Sequence, residues 1–258
     1  MISLNSHEII QLIASFLWPL TRLLGFIAIA PPFGNNGVPV QIKLVLGIFL
    51  ALIVAPTLDV IPGVDMLSLT GILILTQQLI IGLAMGFVVR TIFAGVEMAG
   101  EVAGLTMGLG FATFYDPQTR GRSSAISQFL VIITTLVFLA LNVHLAMFEA
   151  LIQSFKTIPI SSSLEMGFSM KTLAVWGEEI FKIAFILSLP IVAALLITNI
   201  ALGILTRAAP QLNLFGIGFP ITIGIGLLML SMILPYLLLP LEHLFQRALD
   251  AIQNLGQH

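Results

Sequence analysis

Residues 183–206 read IAFILSLPIVAALLITNIALGILT, 24 consecutive positions without a lysine, arginine, aspartate or glutamate. A helix crosses the roughly 30 Å of bilayer hydrocarbon in about 20 residues, so this stretch is long enough to span. Ser123–Phe148 and Met66–Val89 are equally free of those four residue types, and Leu44–Leu58 is a shorter run of the same kind. Ala208–Leu241 is long enough for a span with a flank. Leu23–Ile42 is interrupted by Pro31-Pro32-Phe33-Gly34-Asn35-Asn36-Gly37-Val38-Pro39, through which no helix continues. Period-two alternation is missing and the apolar runs exceed strand length, so strands are not expected.

Taking the breakers as boundaries predicts seven helical segments, at about 8–30, 42–58, 66–93, 94–113, 123–153, 177–207 and 216–250. The fourth is the least apolar, and six remain without it. Lys156–Lys182, with Ser161-Ser162-Ser163, reads as a loop or a short surface helix. Pro19, Pro56, Pro190, Pro220, Pro235 and Pro240 lie in or beside helical patterns, where each removes a hydrogen bond and favours a kink. Routine membrane-helix kinking accounts for them, and so do broken hairpins packed against other subunits. The fold class expected is all-α, an integral membrane protein of kinked helical hairpins.

The rest of the chain agrees. Of 258 residues, 58% are hydrophobic and 9% charged, against about 25% charged in a soluble domain. Mean hydropathy is +1.11. That charge is too sparse to coat a soluble monomer, and disorder needs the opposite composition. Ten basic and twelve acidic residues leave a net charge of −2, with no field for nucleic acid and no polybasic run for anionic lipid. Cysteine is absent, which removes disulfides, thiolate nucleophiles and Cys-based metal sites. Met1–Glu8 lacks the positive region of a secretory signal, so the first apolar stretch is expected to be retained. Basic residues are spread nearly evenly between alternate loops and orient the chain only weakly.

Polar residues within the apolar chain are the candidate functional groups. Glu97 and Glu101 lie four apart, on one helical face. An ionised side chain at a helix centre in lipid costs about 2.5–3.5 kcal/mol on the mildest scale, so two on one stripe do not face lipid. Gly100, Gly104 and Gly108 continue the stripe, and Gly82 and Gly86 repeat the spacing earlier. Small residues at such intervals let backbones approach closely. The stripe therefore abuts other helices or a water-filled passage, unless the segment is interfacial and its glutamates sit in water. A proton relay lacks an identifiable partner series. Arg90 has no acid at +3 or +4, so a buried partner for it belongs to another segment or subunit. His144 reads as a core histidine, and Gln77, Gln78 and Asn199 as hydrogen-bonding across helices.

Beyond Glu101 comes Met107-Gly108-Leu109-Gly110-Phe111-Ala112-Thr113-Phe114-Tyr115-Asp116-Pro117. Gly108 and Gly110 soften the helix end, Asp116-Pro117 sets a turn, and Phe111, Phe114 and Tyr115 lie between. Such a stretch is an interfacial aromatic belt, or a re-entrant segment lining protein or a cavity. In the second case its bulky apolar side chains can close a pore by excluding water. Met98 and Met107 are placed to line a deformable seal.

Enzymatic constellations are missing. No Gly-x-Ser-x-Gly and no phosphate-binding glycine loop occurs, and His7-Glu8 lacks the second histidine of a zinc helix. Tyr115-Asp116 would need a second intramembrane aspartate, and Asp59, Asp65 and Asp250 all lie near segment ends. The chain is read as non-enzymatic, with no cofactor and no metal. A secondary transporter built on Glu97 and Glu101 is a rival, but no internal repeat of the kind transporters show is evident.

Four blocks together resemble one family: Arg22-Leu23-Leu24-Gly25-Phe26 with Pro31-Pro32-Phe33-Gly34 and Val38-Pro39; Glu97-Met98-Ala99-Gly100-Glu101; Gly108–Pro117; and Thr206-Arg207-Ala208-Ala209-Pro210-Gln211-Leu212-Asn213-Leu214-Phe215-Gly216-Ile217-Gly218-Phe219-Pro220. The chain resembles the FliR/SpaR/EscT group of type III secretion export-gate proteins over essentially its whole length, and its flagellar branch in particular. The resemblance implies one membrane domain over 1–258. Its part at about 1–176 would be FliP-like, and 177–258 would form a FliQ-like hairpin joined around Arg207, Pro210 and Asn213. It also implies a hetero-oligomer with FliP and FliQ, next to FlhB and FlhA, in the bacterial inner membrane at the flagellar basal body. The assembled core is then expected to rise toward the periplasmic side. The channel plug maps to 107–122, with Phe111, Phe114 and Tyr115 obstructing the lumen. Arg90, Glu97 and Glu101 become buried polar or subunit contacts, and unfolded export substrates the cargo. The alternative within the group is a virulence-type injectisome subunit.

Overall fold

A computed structural model describes residues 6–35, 37–58, 62–65, 68–111, 124–161, 170–209 and 214–255. Among them nine α-helices follow one another and no strand occurs. They are α1 (Ser6–Ile29), α2 (Val40–Val54), α3 (Leu69–Met107), α4 (Ala125–Ala140), α5 (Val143–Thr157), α6 (Met170–Gly177), α7 (Glu179–Ala208), α8 (Leu214–Ile233) and α9 (Leu238–Asn254). Val40–Thr57, α3, Met170–Ala208 and Gly216–Tyr236 are long and apolar enough to cross a bilayer, and α4 with α5 makes a fifth span if counted as one broken helix.

Three boundaries differ from expectation. Segments 66–93 and 94–113 are one helix, α3, of 39 residues, about 58 Å long at 1.5 Å per residue. Its interior holds glycines but no proline. A glycine costs a helix only about 1 kcal/mol, and these ones pack against neighbours. The fusion leaves six apolar segments. The run at 123–153 is instead two helices, α4 and α5, because Asn142 takes the left-handed conformation (φ 54°) that asparagine tolerates better than most residues. The run at 216–250 breaks at Leu234-Pro235-Tyr236, a 3-10 turn where Pro235 cannot continue the hydrogen-bond ladder. Pro190 and Pro220, by contrast, lie inside α7 and α8, and Pro19 lies inside α1. Lys156–Lys182 contains α6, the short surface helix that was one of its two readings.

The chain divides into two compact units. One comprises Met1–Arg90, Asn142–Gly177 and Phe245–His258. Its core holds Trp18, Phe26, Ile27, Ile81, Met85, Leu151 and Phe155, all buried. A Cβ on Gly82 would fall on the Arg22 carbonyl, and one on Gly86 would come within 2.9 Å of the Phe26 carbonyl. Contacts therefore advance in the same direction along α1 and α3, and both helices pack nearly backbone to backbone. Phe148 of α5 meets Phe33 and Phe26 at centroid distances of 5.3 and 6.5 Å. The Trp176 indole donates to the Val88 carbonyl at 3.1 Å.

The other unit comprises Thr91–Leu141 and Glu178–Leu244. Gly95 of α3 sits against Ile183 of α7, and Phe93 meets Phe138 of α4 edge-on at 5.7 Å. Gly100 faces Ser127 while Gly104 faces Ser124, so α3 and α4 run antiparallel.

Candidate functional site

The junction of α3 with α4 and α8 contains the residues that frame the aromatic segment. On the upstream side, α3 ends where Gly108 adopts φ +91°, a C-terminal conformation that residues with a Cβ rarely accept. The Phe219 ring of α8 lies over Gly108, leaving no room for a Cβ. Met107 is fully buried, its side chain filling the space beside Gly226. The buried Thr222 hydroxyl is placed to donate to the Met107 carbonyl at 3.0 Å and to the Phe219 carbonyl at 3.1 Å. One of the last carbonyls of α3, which lacks an intrahelical partner, is thus satisfied from α8. Leu109–Phe111 then form a 3-10 turn.

On the downstream side α4 starts at Ala125 with Ser124 as its N-cap. The Ser124 N–H donates to the Glu101 carboxylate at 2.6 Å, and the Ser127 hydroxyl donates to the Glu97 carbonyl at 2.7 Å. The Ser124 hydroxyl is 3.3 Å from the Gly100 carbonyl. The glycine stripe read from the sequence therefore abuts a neighbouring helix, as its spacing implied. Of the charged residues expected to be buried or in subunit contact, Glu101 is half-buried, while Arg90 and Glu97 are exposed on this chain. The backbone of Phe111 closes the 3-10 turn. Its side chain lies outside the described residues, as do Phe114, Tyr115, Asp116 and Pro117. Arg207 is exposed in the last turn of α7, and Pro210 and Asn213 also lie outside the described residues.

The most polar buried group was not foreseen as a site. Arg22 is fully buried in the first unit. Its Nε donates to Gln78 Oε1 at 2.8 Å, Nη1 to the Ser154 carbonyl at 3.0 Å and hydroxyl at 3.1 Å, and Nη2 to the Ile158 carbonyl at 2.8 Å. Its guanidinium carbon lies 4.2 Å from the centre of the Phe155 ring. Ser154 and Ile158 mark the C-terminal end of α5, where the last carbonyls and the helix dipole present partial negative charge. Those carbonyls and the aromatic face hold the guanidinium. Gln78 fulfils its expected role of bonding across helices. One signal for Arg22 was available: Trp18 and Phe26, four residues to either side, place it on the apolar face of α1.

Residues 13–248 match the model of the family described as bacterial export proteins, family 1. The chain is 38% identical over 255 residues to the flagellar biosynthetic protein FliR of Pectobacterium carotovorum subsp. carotovorum, covering 99% of this chain and 97% of that one. It is 34% identical to the FliR of Escherichia coli K12 over the same shares. With the FliR of Bacillus subtilis 168 it shares 29% identity over 96% of this chain and 97% of that one. An all-helical, strongly apolar chain that matches along nearly its full length belongs to the bacterial export proteins, family 1, in the company of the flagellar FliR proteins.

Proposed function

We propose that this chain is a subunit of the flagellar type III export gate, where it helps to form and close the channel that unfolded flagellar proteins traverse. The observation that carries the reading is the aromatic segment of a FliR relative, rooted on both sides in one helical unit: Met107 is held by Thr222, and Ser124 by Glu101. In this reading Gly108 and Gly110 let the segment swing. Phe111, Phe114 and Tyr115 obstruct the lumen when it is in place, and Asp116-Pro117 turns the chain back. Closure needs only bulky apolar groups that exclude water, so no catalytic residue is called for.

The gate assembles in the bacterial inner membrane at the flagellar basal body, with its core raised toward the periplasm. FliP and FliQ are its co-subunits, and FlhB and FlhA its neighbours. The part at about 1–176 plays a FliP-like role, and 177–258 supplies a FliQ-like hairpin turning at Arg207, Pro210 and Asn213. Arg90, Glu97 and Glu101 serve as polar contacts at or near subunit boundaries. The flagellar relatives favour this assignment over a virulence-type injectisome.

Deleting Gly110–Tyr115 should raise ion leakage across the membrane while the complex still assembles with its partners. Conductance unchanged from the wild type would remove the plug role.

A further inference from the structure

In a capping box, the N-cap side chain accepts from the N–H of the third helical residue, and a Glu or Gln at that third position accepts from the N-cap N–H. Helix α4 has the first half: the Ser124 hydroxyl accepts from the Ser127 N–H at 3.1 Å. The third position is Ser127, too short for the second half, and its hydroxyl is spent on the Glu97 carbonyl. The missing acceptor comes from another helix. Glu101 of α3, 23 residues away in sequence, takes the Ser124 N–H at 2.6 Å. A carboxylate there forms a charge-assisted bond and lies at the positive end of the α4 dipole. The arrangement is built for that approach: a Cβ on Gly100 would collide with Ser127, and one on Gly104 would come within 2.9 Å of the Ser124 hydroxyl.

We propose that Glu101 is a positioning residue of the gate. It completes the capping box of α4 from α3 and so fixes where α4 begins. Its effect on closure rests on the gate reading above; its effect on Ser124 does not. A free carboxylate at this position needs only the Ser124 amide to act, and no ligand or co-reactant.

The test uses the assembled export complex in nanodiscs with Glu101→Ala and Glu101→Gln variants. Amide exchange at Ser124 should quicken about fivefold in Glu101→Ala, the factor an ordinary N-cap contributes. Glu101→Gln, which keeps an acceptor without the charge, should fall between, and it carries the test if the alanine variant fails to assemble. Leakage should rise in the same order. Unchanged Ser124 exchange in both variants overturns the capping role, and altered exchange with unaltered leakage overturns the positioning role. The Gly110–Tyr115 deletion is measured alongside. If that deletion does not leak, the gate reading fails, while the exchange data still decide whether Glu101 caps α4.

Discussion

At Arg22 one guanidinium ties three stretches of chain that the sequence keeps far apart. Gln78 is 56 residues away, Ser154 132 and Ile158 136. A buried group of this kind is costly to orphan, because its partners lose their hydrogen bonds in a place water does not reach. Arg22→Ala should destabilise the first unit by about 1–3 kcal/mol, the cost of leaving buried acceptors unsatisfied. The measurement is the thermal unfolding midpoint of the detergent-solubilised complex. Arg22→Lys should recover part of the loss, since an ammonium lacks the planar fork that reaches Gln78 and the end of α5 together. Nothing local in the sequence names Ser154 or Ile158 as partners. An arginine in an apolar helix announces that a partner exists, and only the folded chain supplies it.

Among the elements, helix existence was legible and helix ends less so. Long charge-free runs specify helices because no other structure satisfies so much backbone in an apolar setting. The ends depend on single residues whose effect is set by packing. The boundary expected between residues 93 and 94 is absent: α3 runs on through Gly95 and Gly100, where Ile183 and Ser127 fill the space a side chain would need. Asn142 reads as one polar residue in an apolar helix, yet it separates α4 from α5. At φ 54°, Asn142→Gly should be nearly neutral, whereas Asn142→Val should cost about 1–2 kcal/mol, the penalty for an ordinary side chain in the left-handed region. Thermal unfolding of the two variants side by side checks it. The glycine stripe of the candidate site was equally legible, because spacing alone puts Gly100, Gly104 and Glu101 on neighbouring turns. That Glu101 would find a backbone amide rather than a basic side chain was not, since an N-terminal N–H has no residue-type signature.

For the molecule as a whole, apolar surface remains uncovered. Val45, Phe49, Leu52 and Ile53 of α2 are exposed, as are Phe185, Ile186, Ile197 and Ile204 of α7. Lipid covers such faces on spanning helices, and in the proposed gate neighbouring subunits do so too; on that proposal a gentle detergent extract should yield a particle heavier than the 27.8 kDa chain and containing unlike subunits. Native mass measurement decides it; a functional solitary chain would exclude the hetero-oligomer. The length of α3 adds a constraint of its own. Leu69–Val89 carries no ionisable residue and, at 1.5 Å per residue, accounts for about 31 Å, close to the depth of a bilayer's oily interior. Arg90 is the next residue, and Glu97 and Glu101 follow on the same rod. Spanning helices lean by at most about 40°, so a rod of this length cannot be submerged end to end. With its first 21 residues in the oil, the arginine sits at the waterline and both glutamates stand clear of it. Glu101 so placed takes its partner from the backbone at the start of α4 rather than from a basic side chain within the oil.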